Sequence, residues 1–90
     1  MNMGEAIREV LTKHGRMSVS SKSLSDDANL YDYGLSSHSS VNVMLALEMT
    51  FDTEFPESLL KRSTFQSVGA IRDALLTMGI SADVSVGEDY

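Results

Sequence analysis

The protein has 90 residues, a length that allows one small domain with a modest hydrophobic core. Its 13 acidic and 7 basic residues give a net charge of −6, which argues against binding to nucleic acid or to an anionic membrane surface. The chain has no cysteine, so disulfides, thiolate nucleophiles and cysteine metal sites are excluded.

The N-terminal segment predicts an amphipathic helix over residues 3 to 14. The residues that fall on one face at helical spacing are Met3, Ile7, Val10, Leu11 and His14. Glu5 lies in the first turn, and Gly15 is placed to end the helix. Charged residues interrupt the apolar positions, so the segment predicts neither a signal peptide nor a membrane span, and we expect a cytoplasmic protein.

Residues 16 to 36 predict a long loop between the first and second helices. The segment is rich in Ser, Asp and Asn and shows no sustained hydrophobic period. A structureless connection of about 20 residues is uncommon in a compact domain, so this loop requires anchors of its own. We expect Leu24, Leu30 and Leu35 to be those anchors.

The second predicted helix begins in a serine cluster and runs from Ser37 to Phe51. Gly34 before it allows a sharp turn, because glycine adopts a positive φ at little steric cost. Ser36 or Ser37 suits the N-cap, since a side-chain oxygen there accepts a hydrogen bond from an unpaired N–H of the first turn. Those N–H groups and the helix dipole also favour a phosphate attached to a hydroxyl at this position.

The apolar residues of this helix cover more than one face. Val43, Leu47 and Phe51 recur at intervals of four and are expected in the core. Val41 and Leu45 point away from that stripe and are expected to meet solvent or a partner.

The C-terminal part predicts one short helix and one full helix. Pro56 suits the start of a short helix at residues 57 to 61 because its missing N–H is not needed there. Ser67 is a candidate N-cap for the last helix, which ends before Gly79 and whose apolar residues are Val68, Ile71, Leu75 and Met78. We therefore expect an all-α domain over residues 1 to 80, followed by an acidic tail that frays.

No catalytic or metal-binding pattern accompanies these helices. His38 follows Ser37, but adjacent helical residues do not face one another, and no GxSxG elbow is present. The two histidines form no HxxH pair, and the acidic residues form no calcium-binding loop. The sequence thus predicts a protein that is neither an enzyme nor a metalloprotein.

On its residues alone, the serine cluster also fits an unmodified helical adaptor that binds proteins through its second helix.

Residues 32 to 56, DYGLSSHSSVNVMLALEMTFDTEFP, resemble the acyl carrier protein signature, in which an acidic residue, a glycine and a hydrophobic residue precede a serine that opens the second helix. The later run TFQSVGAIRDAL is similar to the second half of the family pattern. The resemblance implies an acyl-carrier-like bundle of three main helices plus one short helix, and it places the covalent 4'-phosphopantetheine on Ser37. Ser36-Ser37-His38 stands where the family usually has Asp-Ser-Leu.

This resemblance implies a stand-alone, monomeric carrier that holds an acyl or aminoacyl group as a thioester on the arm at Ser37. Its partners would be a phosphopantetheinyl transferase, an acyl- or aminoacyl-loading ligase or transferase, and downstream acceptor enzymes. Similarity to small bacterial carriers favours an aminoacyl carrier loaded by a separate ligase. The alternative is an acyl carrier for fatty-acid or polyketide-type synthesis.

The resemblance also implies a partner-binding surface around the second helix, comprising Tyr33, Gly34, Leu35, His38, Val41, Leu45 and Glu48. Fatty-acid carriers typically have acidic residues along this helix, whereas the corresponding surface here is expected to carry Ser36, Ser39 and Asn42. Rim charges mainly steer the encounter of two proteins. We therefore expect partner binding to be led by apolar contacts and to depend only weakly on salt.

Overall fold

A computed structural model describes residues 2 to 81, so the predicted acidic tail lies outside the described residues except for Ser81. Three α-helices lie within this range: α1 (Met3–His14), α2 (Ser37–Phe51) and α3 (Val68–Thr77). The segments between them contain four short 3-10 helices, Ser21–Ser23, Leu30–Tyr33, Glu57–Leu59 and Arg62–Phe65. The predicted all-α fold and the predicted bounds of α1 and α2 are confirmed.

Helix α1 is held at both ends by local hydrogen bonds. The Asn2 side chain accepts from the Glu5 N–H at 2.8 Å, and the Glu5 carboxylate accepts from the Asn2 N–H at 3.0 Å. The Gly15 N–H donates to the Leu11 carbonyl at 2.9 Å and closes the last turn. His14, predicted on the same face as Leu11, is exposed, because the last turn of α1 faces an open groove beside α2 instead of packed side chains.

The three helices share one hydrophobic core. Val43, Leu47 and Phe51 of α2 are buried as predicted, and Leu47 is 0% exposed. The other buried apolar residues of the α-helices are Met3, Ala6, Ile7, Val10, Leu11, Val68, Ile71, Ala74 and Leu75. One stripe of each helix therefore supplies the core, and the opposite stripe of α2 stays in solvent.

The connection from α1 to α2 is anchored in this core. Leu30 and Leu35 are buried and Leu24 packs against the core, as predicted. The Leu30 N–H also donates to the Gln66 carbonyl at 2.7 Å. The loop is thereby tied to the segment that precedes α3.

A charged cluster joins the same loop to α1 and α3. The Asp26 carboxylate binds Arg8 of α1 at 2.5 Å and Arg72 of α3 at 3.0 Å. The Arg8 guanidinium also donates to the carbonyls of Ser21 and Leu24, the latter at 2.7 Å. Hydrogen bonds from Arg72 and then Arg8 lower the pKa of Asp26, since they stabilise its charged form.

The segment between α2 and α3 differs from the prediction. The short helix expected at residues 57 to 61 is a 3-10 helix of three residues, Glu57–Leu59, and Pro56 is its N-cap residue. Lys61 is extended, with φ −145° and ψ 161°, and a second 3-10 helix follows at Arg62–Phe65. So short a segment gains too few hydrogen bonds to continue as an α-helix, because helix nucleation is costly.

Helix α3 begins and ends at the predicted signals. The Ser67 hydroxyl accepts from the Ala70 N–H at 3.0 Å, which confirms Ser67 as the N-cap. Gly79 follows the last turn with φ +92°, a conformation that favours glycine.

Candidate functional site

The serines at the start of α2 have different structural roles. The Ser36 hydroxyl is the N-cap and accepts from the Ser39 N–H at 3.0 Å, while the Ser39 hydroxyl accepts from the Ser36 N–H at 2.9 Å. The Ser40 hydroxyl donates to the Ser37 carbonyl at 2.8 Å. Ser39 is 2% exposed, so it is not part of the surface on which the sequence placed it. Three of the four hydroxyls are thus engaged in local structure.

Ser37 is the first residue of α2 and is exposed. Within residues 2 to 81 its hydroxyl makes no hydrogen bond, and the backbone N–H groups of Ser37 and His38 have no acceptor. These N–H groups lie at the positive end of the helix dipole, where an anion is stabilised. The position therefore combines a free hydroxyl with an environment that suits a phosphodiester.

The turn before α2 depends on Gly34. This residue has φ +106°, and a Cβ there would lie 3.0 Å from the Ser18 nitrogen and 3.3 Å from the Met17 Cα. The Ser18 N–H donates to the Tyr33 carbonyl at 2.7 Å, and the Ser18 hydroxyl donates to it at 2.9 Å. Leu35 then turns inward and is 3% exposed, so its predicted role on the partner surface is wrong.

Tyr31 binds Arg62, which lines a groove beside Ser37. Its hydroxyl donates to the Arg62 carbonyl at 2.9 Å, and the Arg62 guanidinium lies 3.7 Å from the centre of its ring. Burial raises the pKa of the Tyr31 phenol, although Arg62 and the Ser40 hydroxyl act in the opposite direction. Sequence reasoning missed this pair because the two residues are 31 positions apart and form no local motif.

A groove of about 350 Å³ adjoins Ser37. Its apolar walls are Val41, Met44, Leu60 and Phe65, and its polar lining is Ser37, Ser40, Lys61 and Arg62. A group attached to Ser37 would thus have both apolar side chains and cations beside it.

The remaining predicted partner residues divide into two groups. Tyr33 and His38 are exposed, and Val41 and Leu45 are 51% and 49% exposed. Glu48 is half-buried, and its carboxylate accepts from the Phe55 N–H at 2.9 Å, so it stabilises the turn after α2.

Neither a metal site nor a membrane span is found in the described part of the chain. Residues 2 to 81 contain no group of three or more His, Asp or Glu side chains placed to hold a metal ion. No helix among these residues combines the length and the apolar character needed to cross a bilayer.

Residues 5 to 75 match the family model described as the phosphopantetheine attachment site. The chain belongs to this carrier family. Its prosthetic group is therefore 4'-phosphopantetheine, bound covalently, and an exposed serine hydroxyl at a helix N-terminus fits that group. The protein is 45% identical to the aminoacyl carrier protein of Agrobacterium fabrum over 73 residues, which are 81% of this chain and 88% of the relative.

Solved structures of carrier proteins are similar as well. One comes from a complex of an engineered Bradyrhizobium japonicum glycine:[carrier protein] ligase with a carrier protein from Agrobacterium tumefaciens and ATP. The matched chain is 44% identical to this protein, with a TM-score of 0.81, and the match covers 83% of this chain and 97% of that chain. Another is the Bradyrhizobium japonicum ligase complexed with glycylated carrier protein, at 29% identity and a TM-score of 0.69, over 80% of this chain and 96% of that chain.

Proposed function

We propose that this carrier is an aminoacyl carrier, with 4'-phosphopantetheine on Ser37 and an amino acid loaded onto it by a separate ligase. The observation that carries the aminoacyl assignment is the 45% identity to a curated aminoacyl carrier protein across 88% of its length. Similar chains are found in complexes with glycine:[carrier protein] ligase, which favours a small amino acid as the cargo. When bound, the arm supplies a terminal thiol for the thioester.

The assignment to Ser37 is supported by its hydroxyl, which makes no hydrogen bond within residues 2 to 81. The hydroxyls of Ser36, Ser39 and Ser40 are all bound to neighbouring groups. The backbone N–H groups of Ser37 and His38 would face the negative charge of the phosphodiester and stabilise it. These groups of the chain would therefore hold the phosphate end of the arm.

The proposed role requires partners and no catalytic residues of the carrier itself. A phosphopantetheinyl transferase would attach the arm, the ligase would load it, and acceptor enzymes would remove the cargo. A tethered amino acid reaches a high effective concentration at each partner site without a tight interface. The cytoplasmic location and the monomeric state expected from the sequence stay predictions.

Intact-mass measurement tests the attachment site. The unmodified protein is incubated with coenzyme A and a phosphopantetheinyl transferase, and Ser37→Ala is compared with the wild type. Ser40→Ala is the matched control, since it removes a neighbouring hydroxyl that is already bonded to the Ser37 carbonyl and interacts with Tyr31. We expect one phosphopantetheine on the wild type and on Ser40→Ala, and none on Ser37→Ala. Modification of Ser37→Ala would contradict the assignment.

A second candidate function, an acyl carrier for fatty-acid or polyketide-type synthesis, is favoured by the groove beside Ser37, whose walls include Val41, Met44 and Phe65. The two functions are separated by loading the phosphopantetheinylated protein. One reaction contains glycine, ATP and the Bradyrhizobium japonicum ligase, and the other contains malonyl-CoA and a malonyl transferase. The aminoacyl proposal predicts efficient glycyl loading and poor malonyl loading. The reverse order would assign the protein to acyl chemistry.

A further inference from the structure

Two cations line the groove beside Ser37 without an acidic partner. They are Lys61 and Arg62, and no aspartate or glutamate is among the described residues that line this groove. Both residues are exposed, and neither makes an ion pair within residues 2 to 81. In a chain of net charge −6, two such side chains create a local positive potential. An anion attached to Ser37 would therefore be attracted to this wall of the groove.

Arg62 is held by Tyr31, whereas the Lys61 side chain makes no hydrogen bond or ion pair with another described residue. The Arg62 guanidinium lies 3.7 Å from the centre of the Tyr31 ring. A cation over a ring face uses none of its hydrogen-bond donors, so stacking restricts the guanidinium and leaves its N–H groups available. In the described part of the chain these N–H groups have no acceptor. Arg62 thus presents a preorganised set of donors.

Tyr31 is linked to Ser37 through one other residue. The Ser40 hydroxyl donates to the Ser37 carbonyl at 2.8 Å and interacts with the Tyr31 phenol. The Tyr31 N–H donates to the Asn29 side chain at 3.1 Å, and the Tyr31 side chain packs against the core. The Tyr31 hydroxyl in turn donates to the Arg62 carbonyl at 2.9 Å. These contacts join the loop before α2, the start of α2 and the segment of Arg62 around one groove.

We propose that Arg62, positioned by Tyr31, pairs with the phosphodiester of the phosphopantetheine arm, an inference that rests on the proposed attachment to Ser37. The phosphodiester carries a negative charge, and a guanidinium binds phosphate oxygens through paired N–H donors. Lys61 adds a second, less restricted cation to the same wall of the groove. The phosphate end of the arm is therefore held by side-chain charge as well as by the N–H groups at the start of α2.

This pairing is weak enough to be reversible. Ser37 and Arg62 are both exposed, and an ion pair in contact with water favours the paired state by only about two- to five-fold. Such a bias keeps the phosphate end near the groove in the free carrier, and a partner enzyme can displace it at little cost. Because only the phosphate end is held, the terminal thiol stays free to accept and deliver its cargo.

Phosphorus-31 NMR of the phosphopantetheinylated protein tests this contact, once intact mass shows that one arm is attached. The measured quantity is the displacement of the phosphodiester resonance in the folded protein from its position in the same protein unfolded in urea. Arg62→Gln should lose at least about half of the wild-type displacement, because it removes the charge and the paired donors. Lys22→Gln is the matched control, since it removes one positive charge from a different groove, beside Glu5 and Arg8, and should keep the displacement.

Salt and two variants of Tyr31 test how the pairing is made. Raising the ionic strength from about 0.05 M to about 1 M should shrink the displacement in the wild type and change it much less in Arg62→Gln, because salt screens exposed charges. Tyr31→Phe keeps the ring and should keep most of the displacement. Tyr31→Leu removes the ring and should reduce the displacement as Arg62→Gln does. Far-UV circular dichroism checks that each variant is folded.

The outcomes separate the phosphate contact from the attachment site. Equal displacements in Arg62→Gln and Lys22→Gln would overturn the phosphate contact and leave the attachment to Ser37 intact. Equal displacements in Tyr31→Phe and Tyr31→Leu would overturn Tyr31 as the positioning residue. A wild-type protein that carries no arm, or carries it on another residue, would overturn the proposed attachment and this contact with it.

Discussion

Leu47 and Leu45 lie two positions apart on α2, but substitution by alanine should lower the free energy of unfolding much more at Leu47 than at Leu45. Leu47 is 0% exposed at the centre of the core, whereas Leu45 is 49% exposed. Removing three buried carbons from Leu47 loses roughly 2.4 kcal/mol of transfer free energy at about 0.8 kcal/mol per carbon. The cavity left behind raises the destabilisation to about 2–5 kcal/mol. Leu45→Ala should cost about 1 kcal/mol, because half of its surface is already in water and no cavity forms.

Urea unfolding followed by far-UV circular dichroism measures both free energies of unfolding. Leu47→Ala should also lower the melting temperature by at least about 8 °C, at about 4–8 °C per kcal/mol for a domain of this size. Leu47→Met is the matched control, since it conserves volume and should cost less than about 1.5 kcal/mol. A larger loss for Leu45→Ala than for Leu47→Ala would refute the assigned core and solvent faces of α2.

Two further predictions concern the loop and the turn that precede α2. Asp26→Asn should destabilise the protein by about 1 kcal/mol at neutral pH, a modest value because the carboxylate is partly exposed. The pKa of Asp26 is lowered in the folded state, so its charged form stabilises the fold above the usual value of 3.8, and this stabilisation is lost as pH falls through the folded-state pKa. The free energies of unfolding of the wild type and of Asp26→Asn, measured at several pH values, should therefore converge in acid. A difference that stays constant with pH would contradict this reasoning. Gly34→Ala should cost roughly 1–3 kcal/mol, because alanine is strained at φ +106° and its Cβ meets the Ser18 nitrogen. Unchanged stability of Gly34→Ala in urea would show that the turn is not specified by glycine.

Local signals predicted most of the helical framework. Ser67 and Gly79 mark the ends of α3 because capping bonds and positive φ depend on residues within one turn. The spacing of Val43, Leu47 and Phe51 likewise predicted the buried stripe of α2, since the helical period alone decides which residues share a face.

Contacts between segments that are distant in the sequence could not be predicted from local signals. Asp26 binds Arg8 and Arg72, which lie 18 and 46 positions away in the sequence, and no local pattern predicts such a cluster. Leu35 was expected both as a core anchor and as a partner residue, and only the packed structure shows it buried. Ser39 was expected at the surface because hydroxyls usually face water, but the capping box turns it inward.

Within the carrier family, the central proposal for this chain is that Ser37 bears the arm that accepts an amino acid. The most direct measurement loads the wild-type protein with coenzyme A and transferase, then with ligase, ATP and isotopically labelled glycine, and fragments the peptide that contains residues 36 to 40. We expect the labelled glycyl-phosphopantetheine on Ser37. A label on Ser36 or Ser40 would contradict the site, and an arm on Ser37 that accepts malonyl but no amino acid would contradict the aminoacyl function.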